Sequence, residues 1–382
     1  MRPALKPLLL PPNIIDHFYR GGSRLAAFRG VPAPSEHSPE EWLAATVHLA
    51  GQPAIGPSRL ADGTLFADLV ANDPIGWTGS AQGAPTDTGL LVKFLDAGQR
   101  LPVHVHPTRP FAREHLHSCY GKTEAWHVLD VRGDDPSVWV GLRADVDPAE
   151  LAARVDAQDS AWLLDQMNKI PVRPGDGIVV PAGEAHATGA GVFLVEVQEP
   201  TDFSILLEWS VTTATRDESH LGLGFGTALG VVNHRATEPA RLAALRHHVD
   251  PAARGGGLRR ALPAAADPYF RVDLAAPAGA EPVVVPHGFA VAIVLAGTGW
   301  LGGAAGSLGG AAGSLGGAAA SLGGAAASLG GAAASLGGAA GGAQALRKGE
   351  VYAVPDGLGD WSVAGPVRVA ICRPSADWPD VP

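Results

Sequence analysis

Short apolar runs closed off by glycine, proline or aspartate set the rhythm of this chain. Leu90-Leu91-Val92-Lys93-Phe94-Leu95, Ile178-Val179-Val180 and Val192-Phe193-Leu194-Val195-Glu196-Val197 are rich in aliphatic and β-branched residues and too short for buried helices. That pattern predicts an antiparallel β-sandwich or barrel. It returns from about Tyr269 onward, in Val283–Val285, Ala290–Leu295, Val351–Pro355 and Val367–Ile371. The turns Pro174-Gly175-Asp176 and Lys348-Gly349-Glu350 each lead into a strand that ends in proline, so we expect two related β units. Helix starts are fewer. Asp147-Pro148-Ala149-Glu150 offers a cap, a proline at the first position and an early carboxylate; Ser38-Pro39-Glu40-Glu41-Trp42 and Glu238-Pro239-Ala240-Arg241-Leu242 repeat the signal. Each is expected as a helical insertion beside a β scaffold.

The second unit is interrupted by a low-complexity tract from Leu301 to about Ala343, in which Leu301, Leu308, Leu315, Leu322, Leu329 and Leu336 recur seven apart. A coiled coil would need a second apolar position per heptad, and each interior glycine costs about 1 kcal/mol relative to alanine. The tract therefore reads as a repeat expansion in a hairpin loop. Glycine, alanine and serine also supply too little apolar surface for a membrane helix.

Composition narrows the partners. The chain has 382 residues, 46% of them hydrophobic, which is enough for two or three compact units. A formal net charge of -10 without a block of Lys and Arg argues against nucleic acid and anionic membranes, while leaving room for a small anionic substrate held by local cations. Cys119 and Cys372 are the only cysteines, so no disulfide framework is implied and a reducing cytoplasm is expected. The proline-flanked run Leu8-Leu9-Leu10 lacks the apolar stretch of a signal peptide.

Candidate chemistry is concentrated in the first unit. His104 and His106 are two apart, which on a strand puts both imidazoles on one face. Glu124 precedes the strand-like Ala125–Leu129, and His186 follows the turn Pro181-Ala182-Gly183 at the end of an apolar strand. Imidazoles and a carboxylate of this kind can hold a divalent cation with positions left open for substrate. His115 and His117 lie in a loop-like polar stretch and are read as surface residues.

These segments resemble the type I mannose-6-phosphate isomerases, metal-dependent cupins. Leu91–Ala97 followed by Leu101-Pro102-Val103-His104-Val105-His106-Pro107 is similar to that family's strand and Gln-Val-His-Pro motif, with His104 in the glutamine's place. Gly121-Lys122-Thr123-Glu124-Ala125-Trp126 matches its Gly-Lys-Thr-Glu-x-Trp motif; Lys169–Ala187, Glu196-Val197-Gln198 and Thr201-Asp202 resemble the strands that carry its last ligand. Glu40-Glu41-Trp42 resembles its Glu-x-Trp helix start. The resemblance implies a mainly β protein of two cupin (jelly-roll) barrels, with a small helical insertion and a low-complexity loop in the second. Residues 1–210 would form the N-terminal segment and catalytic cupin, 211–260 a helical connector, and 261–382 a C-terminal cupin-like domain containing the 301–343 insert.

It also implies one Zn2+ per chain on His104, His106, Glu124 and His186, and interconversion of mannose 6-phosphate and fructose 6-phosphate through an enediolate. The family's Thr-Tyr-Arg-x-Tyr-Asp-Trp stretch falls on Phe203–Trp209, which puts Ile205 where the arginine is expected. Arg216 and Lys122 are the replacement cations nearest in sequence. Lys122, Glu184 and His104 are the titratable groups beside the motif positions and the candidates for proton transfer. An isomerase for another or unphosphorylated sugar, and a non-catalytic sugar-sensing metal cupin, are the alternatives.

Overall fold

The computed structural model describes residues 5–79, 87–303 and 343–376. In chain order the first strands are β1 (Leu8–Leu9), β2 (Ile14–Ile15), β3 (Glu40–Leu43), β4 (Leu91–Asp96), β5 (His104–Val105), β6 (Glu124–Val131) and β7 (Ser137–Leu142). They are followed by β8 (Met167–Pro171), β9 (Asp176–Val180), β10 (His186–Thr188), β11 (Val192–Gln198), β12 (Ile205–Leu206) and β13 (Arg246–His248). The remainder are β14 (Arg259–Arg260), β15 (Phe270–Ala275), β16 (Val283–Val285), β17 (Ala290–Gly303), β18 (Gln344–Arg347), β19 (Val351–Val354), β20 (Trp361–Ala364) and β21 (Val367–Pro374). A seven-stranded sheet runs β13-β9-β6-β11-β4-β3-β2, and a five-stranded sheet runs β12-β5-β10-β7-β8. A nine-stranded sheet follows the path β1-β19-β17-β21-β15-β14, with β16, β18 and β20 branching from it. Among the described residues the fold is mainly β, and none of these sheets closes into a barrel.

Three layers result. On β6, Trp126 and Val128 pack inward against Val138, Val140 and Ile170 of the five-stranded sheet. The alternate residue Ala125, with Val92 and Phe94 of β4 and Val195 and Val197 of β11, packs outward against Phe270, Val272, Val291 and Ile293 of the nine-stranded sheet. The seven-stranded sheet is therefore buried on both faces, which is why its strands read as near-continuous apolar runs rather than alternating ones. Each fully buried Val, Leu or Phe there contributes about 1.5–3 kcal/mol of transfer free energy. The far face of the five-stranded sheet is covered by helices Pro148–Asp156 and Ser160–Asp165 and by Phe225.

The helix starts at Asp147 and Glu238 are borne out by helices Pro148–Asp156 and Pro239–Ala244, the first with Asp147 accepting from the N–H groups of Ala149 and Glu150. The expected helix at Ser38–Trp42 is instead β3, paired with β4. Tertiary partners override the local cap signal here: Glu41 meets Arg29 at 2.9 Å, and Glu40 meets Lys93 at 3.1 Å and the Trp42 indole N–H at 2.8 Å. His115 ends a helix, Arg109–His115, instead of lying in a loop. The low-complexity tract also begins later than its composition suggests. Leu301 is buried in β17 and pairs with Gln344 of β18, so a hairpin brackets the tract, whose residues 304–342 lie outside the described ones. Strand β1 belongs to the nine-stranded sheet through β19, and β13, from the 211–260 stretch, pairs with β9 at the edge of the seven-stranded sheet.

Candidate metal centre

Strand pairing assembles the cluster. His104 of β5 lies opposite His186 of β10, with Leu206 of β12 on its other side. Glu124 opens β6, between Gln198 of β11 and Val180 of β9. The turn after β9 needs Gly183, whose φ of 90° few side chains tolerate and whose N–H donates to the His106 carbonyl at 2.9 Å. This bond ties the segment before His186 to the one that carries His106. The ligand atoms of His104, His106 and His186 all lie within 4.8 Å of one another. Glu124 reaches two of them, Oε2 to His106 Nε2 at 2.9 Å and Oε1 to His186 Nε2 at 3.4 Å.

The donor set fits a metal. Each histidine uses Nδ1 on a backbone carbonyl: Pro102 for His104 at 2.9 Å, Phe203 for His106 at 2.8 Å and Glu184 for His186 at 2.9 Å. Donation from Nδ1–H fixes the tautomer and leaves the Nε2 lone pair for a cation. His186 Nε2 is buried without a hydrogen-bond partner. Burial pushes His106 and His186 down to about 3 and His104 well below the ordinary imidazole range, so all three are neutral near pH 7. Burial works against the Glu124 carboxylate, but the Lys122 ammonium and His106 outweigh it and hold the group ionised. Lys122 Nζ itself sits 3.0 Å from His106 Nε2 and 3.3 Å from Glu124, supplying positive charge at the point the donors face.

A second group of charges adjoins the cluster. Lys93 is buried in β4 between Glu40 at 3.1 Å, Glu196 at 3.8 Å and Asp202 at 3.9 Å, and Tyr19 donates its hydroxyl proton to Glu40. Burial, then the nearby Glu124 charge, pushes Glu196 up to about 8. With His17, Ser204 and Leu206 these residues line a narrow cavity that reaches His104, Lys122 and Glu124. Sequence reasoning quoted Lys93, Glu196 and Asp202 without assigning them a role and missed His17. The available signal was a charged residue inside an otherwise apolar strand, as in Leu91-Val92-Lys93-Phe94 and Val195-Glu196-Val197.

Two expected residues stand apart from the cavity. Arg216 pairs with Asp156 at 3.0 Å and covers the Phe225 ring, with half of its side chain exposed. Glu184 is buried under Asn233 and Arg241, each donating at 2.9 Å, and supports the site through its carbonyl bond to His186. Ile205 turns into the core under the helices, whereas its neighbours Ser204 and Leu206 face the cavity, so β12 presents no cation there.

No family model matches the chain. It is 34% identical over 196 residues to a probable mannose-6-phosphate isomerase of Bacillus subtilis, covering 51% of this chain and 59% of that protein. It is 34% identical over 197 residues to the mannose-6-phosphate isomerase of Streptococcus mutans, covering 52% and 58%. The matched stretch thus spans less than two thirds of these relatives. The fold extends the likeness: the crystal structure of a mannose 6-phosphate isomerase from Bacillus subtilis superposes with a TM-score of 0.66 at 20% identity, over 97% of this chain and 100% of that one. A mannose 6-phosphate isomerase bound with zinc and yttrium gives 0.63 at 12%, over 97% and 100%. The chain is thus similar to mannose-6-phosphate isomerases in sequence over about half of its length and in fold over nearly all of it.

Proposed function

We propose that the protein interconverts mannose 6-phosphate and fructose 6-phosphate, with one Zn2+ per chain on His104, His106, His186 and Glu124. The observation that carries this reading is the trio of buried imidazoles, each with Nδ1 committed to a carbonyl and Nε2 turned toward Glu124 or its neighbours. A divalent cation would supply Lewis-acid stabilisation for the oxyanion that develops when the carbon beside a sugar carbonyl loses its proton. Lys122, 3.5 Å from Ser204 Oγ, would hold a sugar hydroxyl or carbonyl oxygen at the cavity wall. Glu196, with its carboxyl near neutrality in pKa, would take the proton from one carbon and return it to the next. Glu184 would keep the His186 tautomer through its carbonyl.

In the same reading the β sheets form two cupin-like units, 1–210 and 261–382, joined by a helical connector at 211–260, in a cytoplasmic protein. Both cysteines are unpaired, and among the described residues no helix is long and apolar enough to cross a membrane. One observation favours a second substrate class. Glu40, Glu124, Glu196 and Asp202 outnumber Lys93 and Lys122 in the cavity lining, and β12 adds no arginine, an arrangement that suits an unphosphorylated sugar. Metal analysis of the purified protein with coupled assays on mannose 6-phosphate and free mannose separates the readings. Turnover of the phosphate ester with stoichiometric zinc supports the first; a preference for free mannose moves the assignment to the second; bound metal without turnover of either indicates a binding protein.

A further inference from the structure

A larger cavity, about 350 Å³, lies on the opposite face of β6 from the metal cluster, at the seam between the seven- and nine-stranded sheets. His127 of β6, Arg368 of β21 and Lys348 after β18 line it. The His127 side chain is buried, and its Nδ1 has no hydrogen-bond partner; Arg368 Nε is likewise buried and unpartnered. Arg368 donates from its other end to the Pro251 carbonyl, Arg254 to that of Pro277, and Arg259 to those of Asp250 and Ala253. None of these three arginines, nor Lys348, forms an ion pair with a carboxylate among the described residues. Their charges repel: burial and the Arg254 and Arg259 guanidinium groups together lower the Arg368 pKa. The one carboxylate in the lining, Asp130, lies 3.7 Å from Arg24, which is itself held by Asp96 at 2.7 Å. In a chain of net charge -10, a cleft with uncompensated cations and two buried, unpartnered ring and guanidinium nitrogens is a site built for an anion.

We infer that this seam binds an organic phosphate, with the phosphoryl oxygens taken by Arg368, Lys348 and His127. Three donors on three elements match the three terminal oxygens of a phosphate monoester, and charge-assisted bonds from guanidinium and ammonium are the strong ones. Phe28 and Phe193 form an apolar wall beside them, which suits a ligand with an organic body over bare phosphate. The site is separate from the metal cluster, on alternate residues of the same strand, and takes no part in the isomerisation proposed above.

Calorimetric titration of the whole protein with inorganic phosphate and with phenyl phosphate tests this. Saturable binding is expected for both, tighter for phenyl phosphate. Lys348→Gln and Arg368→Gln should each weaken it about tenfold, the loss of one charge-assisted contact, with zinc content unchanged. Lys122→Ala should leave it intact, which separates this site from any phosphate held near the metal cluster. In a 1H–15N spectrum the His127 ring resonances should move with ligand. Absence of saturable binding, or unchanged affinity in both Lys348→Gln and Arg368→Gln, overturns the inference. Should Arg368→Gln fail to fold, Lys348→Gln decides alone, since Lys348 is exposed and meets only the face of the Phe28 ring, at 5.9 Å.

Discussion

His104, His106 and His186 are neutral because they are buried, and their lone pairs are directed because each Nδ1 is spent on a carbonyl. Removing one such imidazole leaves a buried carboxylate facing an incomplete donor set. We therefore expect His106→Ala and His186→Ala each to purify without stoichiometric zinc and without turnover; full metal occupancy in either variant would sink the ligand assignment. The two cations singled out from the sequence should behave differently from each other. Lys122 touches the cluster, so Lys122→Ala should cost about 2–4 kcal/mol of barrier stabilisation, about thirty- to a thousandfold in turnover. Arg216 is paired on the surface with Asp156, so Arg216→Ala should change turnover by less than about twofold. A large loss in Arg216→Ala with zinc retained would mean that this arginine reaches substrate. The three clustered histidines were legible because they fall on family motifs and His104 and His106 are two apart, although β5 itself ends at Val105. Lys93 and Asp202 were not, because what makes them notable is the partner each meets across the sandwich, which spacing along one segment does not encode.

At the scale of elements, apolar runs predicted β4, β9, β11, β16 and β19 to within a residue or two at their ends, and β21 at its start but three residues short at its end. Strand β3 escaped because Ser38-Pro39-Glu40 carries the local chemistry of a helix start while two buried ion pairs and the ladder to β4 impose extended backbone. Two-residue strands such as β5 and β12 are fixed almost wholly by their neighbours, so no periodicity announces them. The β17–β18 hairpin leads to a direct expectation. Thr298 to Leu301 pair with Arg347 to Gln344, and Gly302 and Gly303 pair with β20, so the ladder is complete before residue 304. Replacing residues 304–342 with a short turn should leave zinc content, melting temperature and turnover nearly unchanged, loop length being a weak entropic term. A substitution that starts at Leu301 removes a buried side chain and should lower the melting temperature. Equal melting temperatures for the two replacements would contradict the placement of Leu301 in the core.

For the whole molecule, His127 links burial to pH. Its imidazole is pushed from 6.5 down to about 4, first by burial and then by the Arg368 charge. The folded-state value lies below the unfolded one, so the unfolded chain takes up the proton first as pH falls. The contribution is complete above about pH 6.5 and is eroded toward pH 4, by at most about 1.4 kcal/mol per pH unit. Urea unfolding across that window should show a shallower pH dependence for His127→Gln than for the unaltered protein; identical slopes would remove His127 from the linkage. The expected closed barrels are open sheets among the described residues, but the mainly β class was legible at this scale from two sets of strand-like runs. The contact between the units was not, because the apolar face that β6 and β11 turn toward β15 and β17 reads in sequence simply as a strand without alternation.

That shared face governs how the protein comes apart. Phe94, Val195 and Val197 have no solvent-compatible side to retreat to once Phe270, Val272 and Ile293 leave them, and β1 ties the N-terminal segment to the nine-stranded sheet through β19. Melting should accordingly be a single cooperative transition in differential scanning calorimetry, with calorimetric and van't Hoff enthalpies in agreement. Two resolved transitions would show that the halves unfold independently. Expressed alone, residues 1–260 would present a sticky apolar sheet face to the cell and precipitate or be captured by chaperones. The sheets on either side of that face would in that case form a single folding unit that cannot be divided.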